Sequence, residues 1–137
     1  IDGRKMSKSY NNTLPIFAPE KALRKQVMRI VTDSKTPEEP KDPDSDNLYH
    51  IYRLFAPAER LQEVRNLYLQ GGLAYGALKQ ELAELMLATF AEPRRKYTEL
   101  IDDHAYLDAI MAAGAEKARA IAQPVLARMR KAVGLDR

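Results

Sequence analysis

Two lysines three positions apart, Lys5 and Lys8, stand in the segment Lys5-Met6-Ser7-Lys8-Ser9 of a 137-residue chain. An ammonium is a compact point charge with three donors, well suited to phosphate oxygens. Two of them on a segment loosened by Gly3 and carrying Ser7 and Ser9 can close on one polyphosphate. Such a loop grips harder as charge builds on a departing pyrophosphate, so it binds the transition state more tightly than the ground state. A Lys-x-x-Lys pair alone says little among 22 basic residues, because chance places such pairs on any solvated loop. The whole pentapeptide is more specific: with equally used residues it arises about once in three million starting points.

Other residues offer weaker signals. Tyr75 and Lys79 could meet a nucleic acid; equally, Tyr75 packs and Lys79 is solvated. Arg94-Arg95-Lys96 with Tyr97 combines phosphate-seeking charges with a ring on which a base can stack, but Glu92 and Glu99 nearby also fit a solvated helix face. Arg128, Arg130, Lys131 and Arg137 gather toward the end of a helical stretch, where cations also offset the helix dipole. His50 lies among apolar residues and reads as a packing residue, while His104 beside Asp102 and Asp103 reads as a surface or helix-start group. Thr32-Asp33-Ser34 reads as a helix end and turn, where short polar side chains bond nearby backbone, and a direct catalytic role for Asp33 is not expected. The sequence has no cysteine, which excludes disulfides, thiolate zinc sites and thiol nucleophiles. The two histidines lack metal-ligand spacing, so no metal site is expected in the chain.

The elements that must position these groups are helical. Hydrophobic residues at 45% and charged residues at 30% describe a globular protein able to bury a core without staples. From Pro19 the apolar residues Ala22, Leu23, Val27, Ile30 and Val31 recur at helical steps, with Pro19 suited to a first helical position. Residues 36–46 break the pattern with three prolines and five acidic side chains, an acidic connector inside the domain. Asn47 to Phe55 reads as a short helix presenting Leu48, Ile51, Tyr52 and Phe55. Pro57 opens the next, which Gly71-Gly72 stops. Tyr75-Gly76 opens a longer helix with Leu78, Leu82, Leu85, Met86 and Phe90 on its buried stripe, and Pro93 kinks or restarts it. Leu107 to Val133 is a long amphipathic helix or pair, with Gly114 and Pro124 as weak points and Gly134 as its stop. No strand alternation is present, so the expected fold class is all-α: a loop and lead-in over 1–18, then a helical bundle over 19–137, without a complete Rossmann domain.

Charge is segregated along this framework. Residues 1–35 carry eight Lys/Arg against three Asp/Glu, residues 36–116 eight against fifteen, and residues 117–137 six against one. Basic ends around an acidic middle suit anionic partners such as phosphates or RNA. No stretch approaches a membrane span and no targeting segment is visible, so a cytoplasmic protein is expected.

Lys-Met-Ser-Lys-Ser is the second signature of class I aminoacyl-tRNA synthetases, and the sequence around it resembles the bacterial tryptophanyl-tRNA synthetases. The likeness takes in Asp2-Gly3-Arg4, Ser9-Tyr10-Asn11-Asn12-Thr13, Ile30-Val31-Thr32-Asp33-Ser34, the acidic proline connector and Gly71-Gly72-Leu73-Ala74-Tyr75-Gly76-Ala77-Leu78-Lys79. It returns at Gly114-Ala115-Glu116-Lys117-Ala118 and Met129-Arg130-Lys131-Ala132-Val133-Gly134-Leu135. The resemblance implies that ATP, with Mg2+, and tryptophan give tryptophanyl-adenylate and pyrophosphate, after which the aminoacyl group passes to tRNA(Trp). It implies that Lys5 and Lys8 hold the triphosphate and stabilise the departing pyrophosphate. Met6 would lie near the adenine, and Ser7 and Ser9 would add loop contacts. The helical region would face the anticodon, which makes Tyr75 and Lys79 candidate tRNA contacts there, beside Arg94 and Arg95, whose candidacy rests on their charge. The whole enzyme would be a homodimer. The first class signature, H-I-G-H or a variant, is absent, since Ile51-Tyr52 follows His50 and Ala105-Tyr106 follows His104. The chain is therefore expected to be a C-terminal part, beginning just before the second signature, with the tryptophan pocket elsewhere and no activity alone. Two other readings remain: a stand-alone helical RNA-binding module without catalysis, and a helical interaction protein.

Overall fold

The structure is a computed structural model that describes residues 1–135. It contains six α-helices and one 3₁₀ turn, Lys8–Tyr10, and no strand among the described residues. The helices are α1 (Glu20–Met28), α2 (Asn47–Tyr52), α3 (Ala58–Gln70), α4 (Tyr75–Thr89), α5 (Ala91–Ile101) and α6 (His104–Ala132). The all-α expectation is met. The chain divides into two units, Ile1–Arg94 and the residues from Arg95 onward, with the division falling inside α5.

The first unit owns the core. Leu23 and Val27 of α1, Leu48, Tyr49 and Tyr52 of α2, Val64 and Tyr68 of α3, and Leu78, Leu82 and Met86 of α4 are all buried, joined by Ile1, Ile30 and Leu73. Their spacing of three and four explains why these stretches are helices: each lays one apolar stripe on the cluster, and each fully buried large side chain stabilises by about 1.5–3 kcal/mol. Pro19 and Pro57 sit one residue before their helices, with ψ of 143° and 150°. The fixed ring torsion suits this extended cap as well as a first helical turn. Their carbonyls accept the amides of Leu23 and Leu61 at 3.1 and 2.9 Å. Asp46 caps α2 and accepts both the Tyr49 amide at 2.9 Å and the Tyr68 hydroxyl at 3.1 Å.

The helix around Pro93 restarts two residues before the proline, because α4 ends at Thr89 and α5 begins at Ala91. Pro93 then occupies the first turn, where amides have no helical acceptor and a missing N–H costs nothing. In the second unit, Asp103 caps α6 by accepting the Tyr106 amide at 3.0 Å. Gly134, at φ 71°, closes that helix: its amide reaches the Lys131 carbonyl at 3.2 Å, and the Leu135 amide reaches that of Arg130 at 2.9 Å. Pro124 lies inside α6, and Arg130 and Lys131 occupy its last turn, where they oppose the helix dipole. Arg137 lies outside the described residues. The apolar stripe of α6 is largely exposed: Leu107 is half-buried, but Ile110, Met111, Ile121, Val125 and Met129 are all open to solvent.

Candidate functional site

The segment Ile1–Asn12 is built around one buried side chain. Asn12 is 2% exposed. Its Oδ1 accepts the Ser7 amide at 2.8 Å, while its Nδ2 donates to Asp2 Oδ1 at 2.9 Å and to the Lys5 carbonyl at 3.3 Å. Beyond Ser7 the chain turns through Lys8–Tyr10, closed by the Tyr10 amide on the Ser7 carbonyl and the Asn11 amide on the Lys8 carbonyl at 3.2 and 3.1 Å. Asn11 ends the turn in the left-handed region at φ 51°, ψ 33°, a conformation that asparagine tolerates better than most residues. The Ser7 and Ser9 hydroxyls share a hydrogen bond of 2.8 Å. The segment is moored to the core at its start, where the Ile1 carbonyl accepts the Val31 amide at 2.8 Å.

Around this frame the charges are sorted. Arg4 pairs with Asp2 at 2.6 Å, and its guanidinium stands 4.8 Å from the centroid of the Tyr10 ring. The Arg4 guanidinium and then the Asn12 amide hold the Asp2 carboxyl well below the usual carboxylate range. Asp2 is thus an anion already neutralised by its neighbours. Lys5, Met6, Lys8 and Ser9 are exposed and Ser7 is half-buried. No ion pair among the described residues takes up the Lys5 or Lys8 ammonium. The loop therefore offers two uncompensated cations on a backbone whose shape is fixed from beneath, an arrangement that can bind an anion carrying more than one charge.

The acidic connector is tied down more closely than its composition suggests. Lys41, at its centre, is 3% exposed. Its Nζ donates to the carbonyls of Thr36, Glu39 and Pro37 at 2.6, 2.9 and 3.3 Å and stands 5.4 Å from the Tyr75 ring centroid. Backbone oxygens and an aromatic face thus replace its water. The Tyr68 carbonyl accepts the Lys41 amide at 2.6 Å, and the Gly72 amide bonds the Pro37 carbonyl at 2.7 Å. Arg65 clamps Asp44 with two bonds of 2.8 Å.

Of the residues with expected RNA contacts, Tyr75 and Lys79 lie one turn apart on α4 and both face α1 and the turn after it. The Tyr75 hydroxyl donates to Asp33 at 2.8 Å, so Asp33 supports α4 rather than the lysine loop; burial and then this bond push the phenol above its ordinary pKa. Lys79 is half-buried, reaches the Met28 carbonyl at 3.4 Å, and has its pKa lowered by burial. It borders a hollow of about 290 Å³ lined by Arg24, Met28, Lys79, Gln80, Ala83 and Glu84. Arg24 closes one edge through two bonds to Glu84, at 2.7 and 3.1 Å. Arg94 donates to the Ile16 carbonyl, and Arg95 pairs with Glu99.

Asn12 and Lys41 are the residues that reading the sequence missed. The asparagine pair could have signalled a turn, but burial of one amide under a lysine-rich segment leaves no trace in composition. His50 is half-buried, in keeping with a packing residue. Among the described residues no group of three or more His, Cys, Asp or Glu could hold a metal ion. No helix among them is long and apolar enough to cross a membrane.

No family model matches the chain. Over 98% of its length, however, the chain is 49% identical to the tryptophan–tRNA ligase of Pseudomonas aeruginosa, 30% of which it spans. It is 47% identical to that of Rhodopirellula baltica, spanning 42% of it. Among solved structures, two crystal structures of tryptophanyl-tRNA synthetase from Campylobacter jejuni, one complexed with ADP and tryptophan, match 98% of the chain at 45% identity and a TM-score of 0.87. The chain covers 43% and 42% of those proteins. It thus spans less than half the length of these relatives, named as tryptophan–tRNA ligases or tryptophanyl-tRNA synthetases, and the resemblance read from its residues holds.

Proposed function

We propose that this chain is the part of a tryptophan–tRNA ligase that grips the ATP polyphosphate and faces the tRNA. The observation that carries the reading is the Lys5–Ser9 loop, two exposed and uncompensated ammonium groups on a braced backbone, in a chain similar along 98% of its length to ligases of this kind. A solved relative that binds ADP and tryptophan supports ATP as the nucleotide.

Lys5 and Lys8 then act on charge. Tryptophan's carboxylate attacks the α-phosphorus of ATP, the bond to the bridging oxygen breaks, and pyrophosphate leaves with an added negative charge. Two ammonium donors brought to that charge by the loop would lower the barrier, and preorganised donors of this kind are worth about 10²–10³ in rate. Met6 lies near the adenine, and Ser7 and Ser9 contribute polar contacts. Magnesium would enter with the nucleotide and would offset the negative charge of its phosphates beside Lys5 and Lys8. The aminoacyl group next passes to the 3′ end of tRNA(Trp).

The helical region supplies the RNA contacts, with Tyr75, Lys79, Arg94 and Arg95 as the residues involved. The hollow beside Lys79, with Met28 and Ala83 as apolar lining and charged groups at its edge, would take an unstacked base. The tryptophan pocket and the first class signature lie in the rest of a homodimeric cytoplasmic enzyme, so this chain alone does not activate tryptophan.

A chimera tests the reading. These 137 residues would replace the matching segment of the Pseudomonas aeruginosa ligase, and tryptophan-dependent ATP–pyrophosphate exchange and tRNA charging would be measured. The chimera is expected to perform both, and the chain alone neither. Exchange by the isolated chain would show that these helices hold a complete site and would overturn the division of labour.

A further inference from the structure

We infer that Asn12 is the positioning residue of the lysine loop, holding Lys5 and Lys8 in the mutual orientation that a polyphosphate requires. The inference rests on the proposed phosphate-gripping role of that loop and adds a residue to it.

The geometry is unusually direct. The two peptide groups flanking Met6 are the one carrying the Lys5 carbonyl and the one carrying the Ser7 amide. The Asn12 side chain binds both, donating to the first at 3.3 Å and accepting from the second at 2.8 Å. A primary amide is suited to this because it offers a donor and an acceptor in one plane. Clamping both peptide planes restrains the φ and ψ of Met6, two of the backbone torsions that lie between Lys5 and Lys8. The third bond, to Asp2 at 2.9 Å, ties the amide to the strand of chain that leads into the loop. Asp2 is itself held by Arg4, so the clamp ends on a neutralised pair rather than on a free carboxylate.

Asn12 belongs to the few side chains buried completely, although it is polar and lies in a segment otherwise largely open to solvent. No buried side-chain nitrogen or oxygen among the described residues lacks a partner, so the amide is matched to its surroundings. A turn could be formed without such a group, because the Lys8–Tyr10 turn is closed by its own backbone bonds. What the amide adds is the relation between the lysine before Met6 and the lysine after it. A displacement of that relation weakens both charges at once, since neither can then reach its phosphate without moving the other.

The test uses the 137-residue chain, inorganic pyrophosphate as probe, and the amide resonances of Lys5–Ser9 followed by ¹⁵N NMR at low ionic strength. Asn12→Ala removes the clamp. Asn12→Asp keeps the acceptor for Ser7 but loses both donors and sets a carboxylate oxygen against Asp2. Both variants are expected to bind pyrophosphate about tenfold more weakly. The Ser7 amide should exchange with solvent faster in Asn12→Ala, while the resonances of α3 and α4 stay in place. Lys5→Ala and Lys8→Ala should also weaken binding, with the Ser7 amide still protected. If the lysine variants lose affinity while both Asn12 variants bind as the original chain does, the positioning role is wrong and the loop keeps its function. If neither lysine variant changes the affinity, or the original chain shows no response to pyrophosphate, the phosphate-gripping reading itself fails. A collapse of the α3 and α4 resonances in both Asn12 variants would make the residue a general support of the fold and would equally overturn its specific role.

Discussion

Replacing Gly71 with alanine would put a methyl group where the acidic connector crosses the end of α3. Gly71 adopts φ 87° and ψ 171°, a combination that only glycine takes up readily. A residue with a side chain held there costs about 1–3 kcal/mol from the backbone alone. The added Cβ would also stand 2.2 Å from the Glu38 carbonyl oxygen, far inside contact distance and against backbone rather than a flexible side chain. The connector would have to lift, and the Gly72–Pro37 and Lys41–Tyr68 bonds would loosen with it. We expect a loss of about 3 kcal/mol or more, which for a unit of this size lowers the melting temperature by roughly 12–24 °C. Near-ultraviolet circular dichroism is the assay, because Tyr49, Tyr52 and Tyr68 are buried in that core and the chain has no tryptophan. Gly76→Ala supplies the contrast: a Cβ there meets nothing within 4 Å, and in a helix alanine gains about 0.5–1 kcal/mol over glycine. A Gly71→Ala variant that melts within a few degrees of the original chain would refute the account of the connector as a close-fitted strap.

Three further outcomes follow from the same contacts. Glu81 accepts from Tyr52 at 2.6 Å and from Arg60 at 2.9 and 2.8 Å, and Arg60 then Tyr52 hold its carboxyl below the ordinary value of 4.5 against the opposing effect of burial. A depressed folded-state pKa means stability that is present above pH 4.5 and is lost as the pH falls below it, so Glu81→Gln should cost about 1 kcal/mol at pH 7 and less at pH 3. Urea midpoints at both pH values check this, and a gap that fails to narrow in acid would disprove it. Lys41→Met keeps the stem but strips the donors from three carbonyls, and should destabilise by about 1–3 kcal/mol in urea unfolding; a neutral or stabilised variant would mean that water replaces the ammonium freely. In the chimeric ligase, Lys8→Ala should slow adenylate formation by about 10²–10³ while tryptophan binding changes little, whereas equal losses in both would remove Lys8 from the chemistry.

Features governed by neighbours in sequence were readable, and those governed by distant contacts were not. The stops at Gly71 and Gly134 and the start after Pro57 follow from torsional preferences that act within one or two residues. The stripes of α1 and α4 follow from spacing, although Val31 and Ala22, on the same periodic pattern, are exposed because the helix ends at Met28 and only one face meets the core. The buried Lys41 contradicts every compositional prior for lysine, since its site is made by carbonyls that the chain presents only once the connector has folded. The lysine loop could be recognised as chemistry from its residue types alone. Its scaffold could not, because Asn12 acts through three bonds spanning five to ten positions in a segment without regular structure. Periodicity identified α6 as amphipathic, and it also shows its limit: it tells which side of a helix is apolar and says nothing of what lies against it.

That open side of α6 has a chemical consequence. The five methionines differ sharply in access to oxidants: Met111 is 73% and Met129 61% exposed, Met6 and Met28 each 44%, and Met86 1%. Peroxide turns an accessible thioether into a polar sulfoxide and spares an enclosed one. Mass spectrometry of briefly oxidised protein would therefore read Met111 and Met129 as reporters of whatever settles on that helix. Met6 would report the occupancy of the lysine loop, and Met86 would serve as the internal standard. The chain carries its own footprinting labels, already placed at the surfaces whose coverage matters, without the introduction of a single foreign probe.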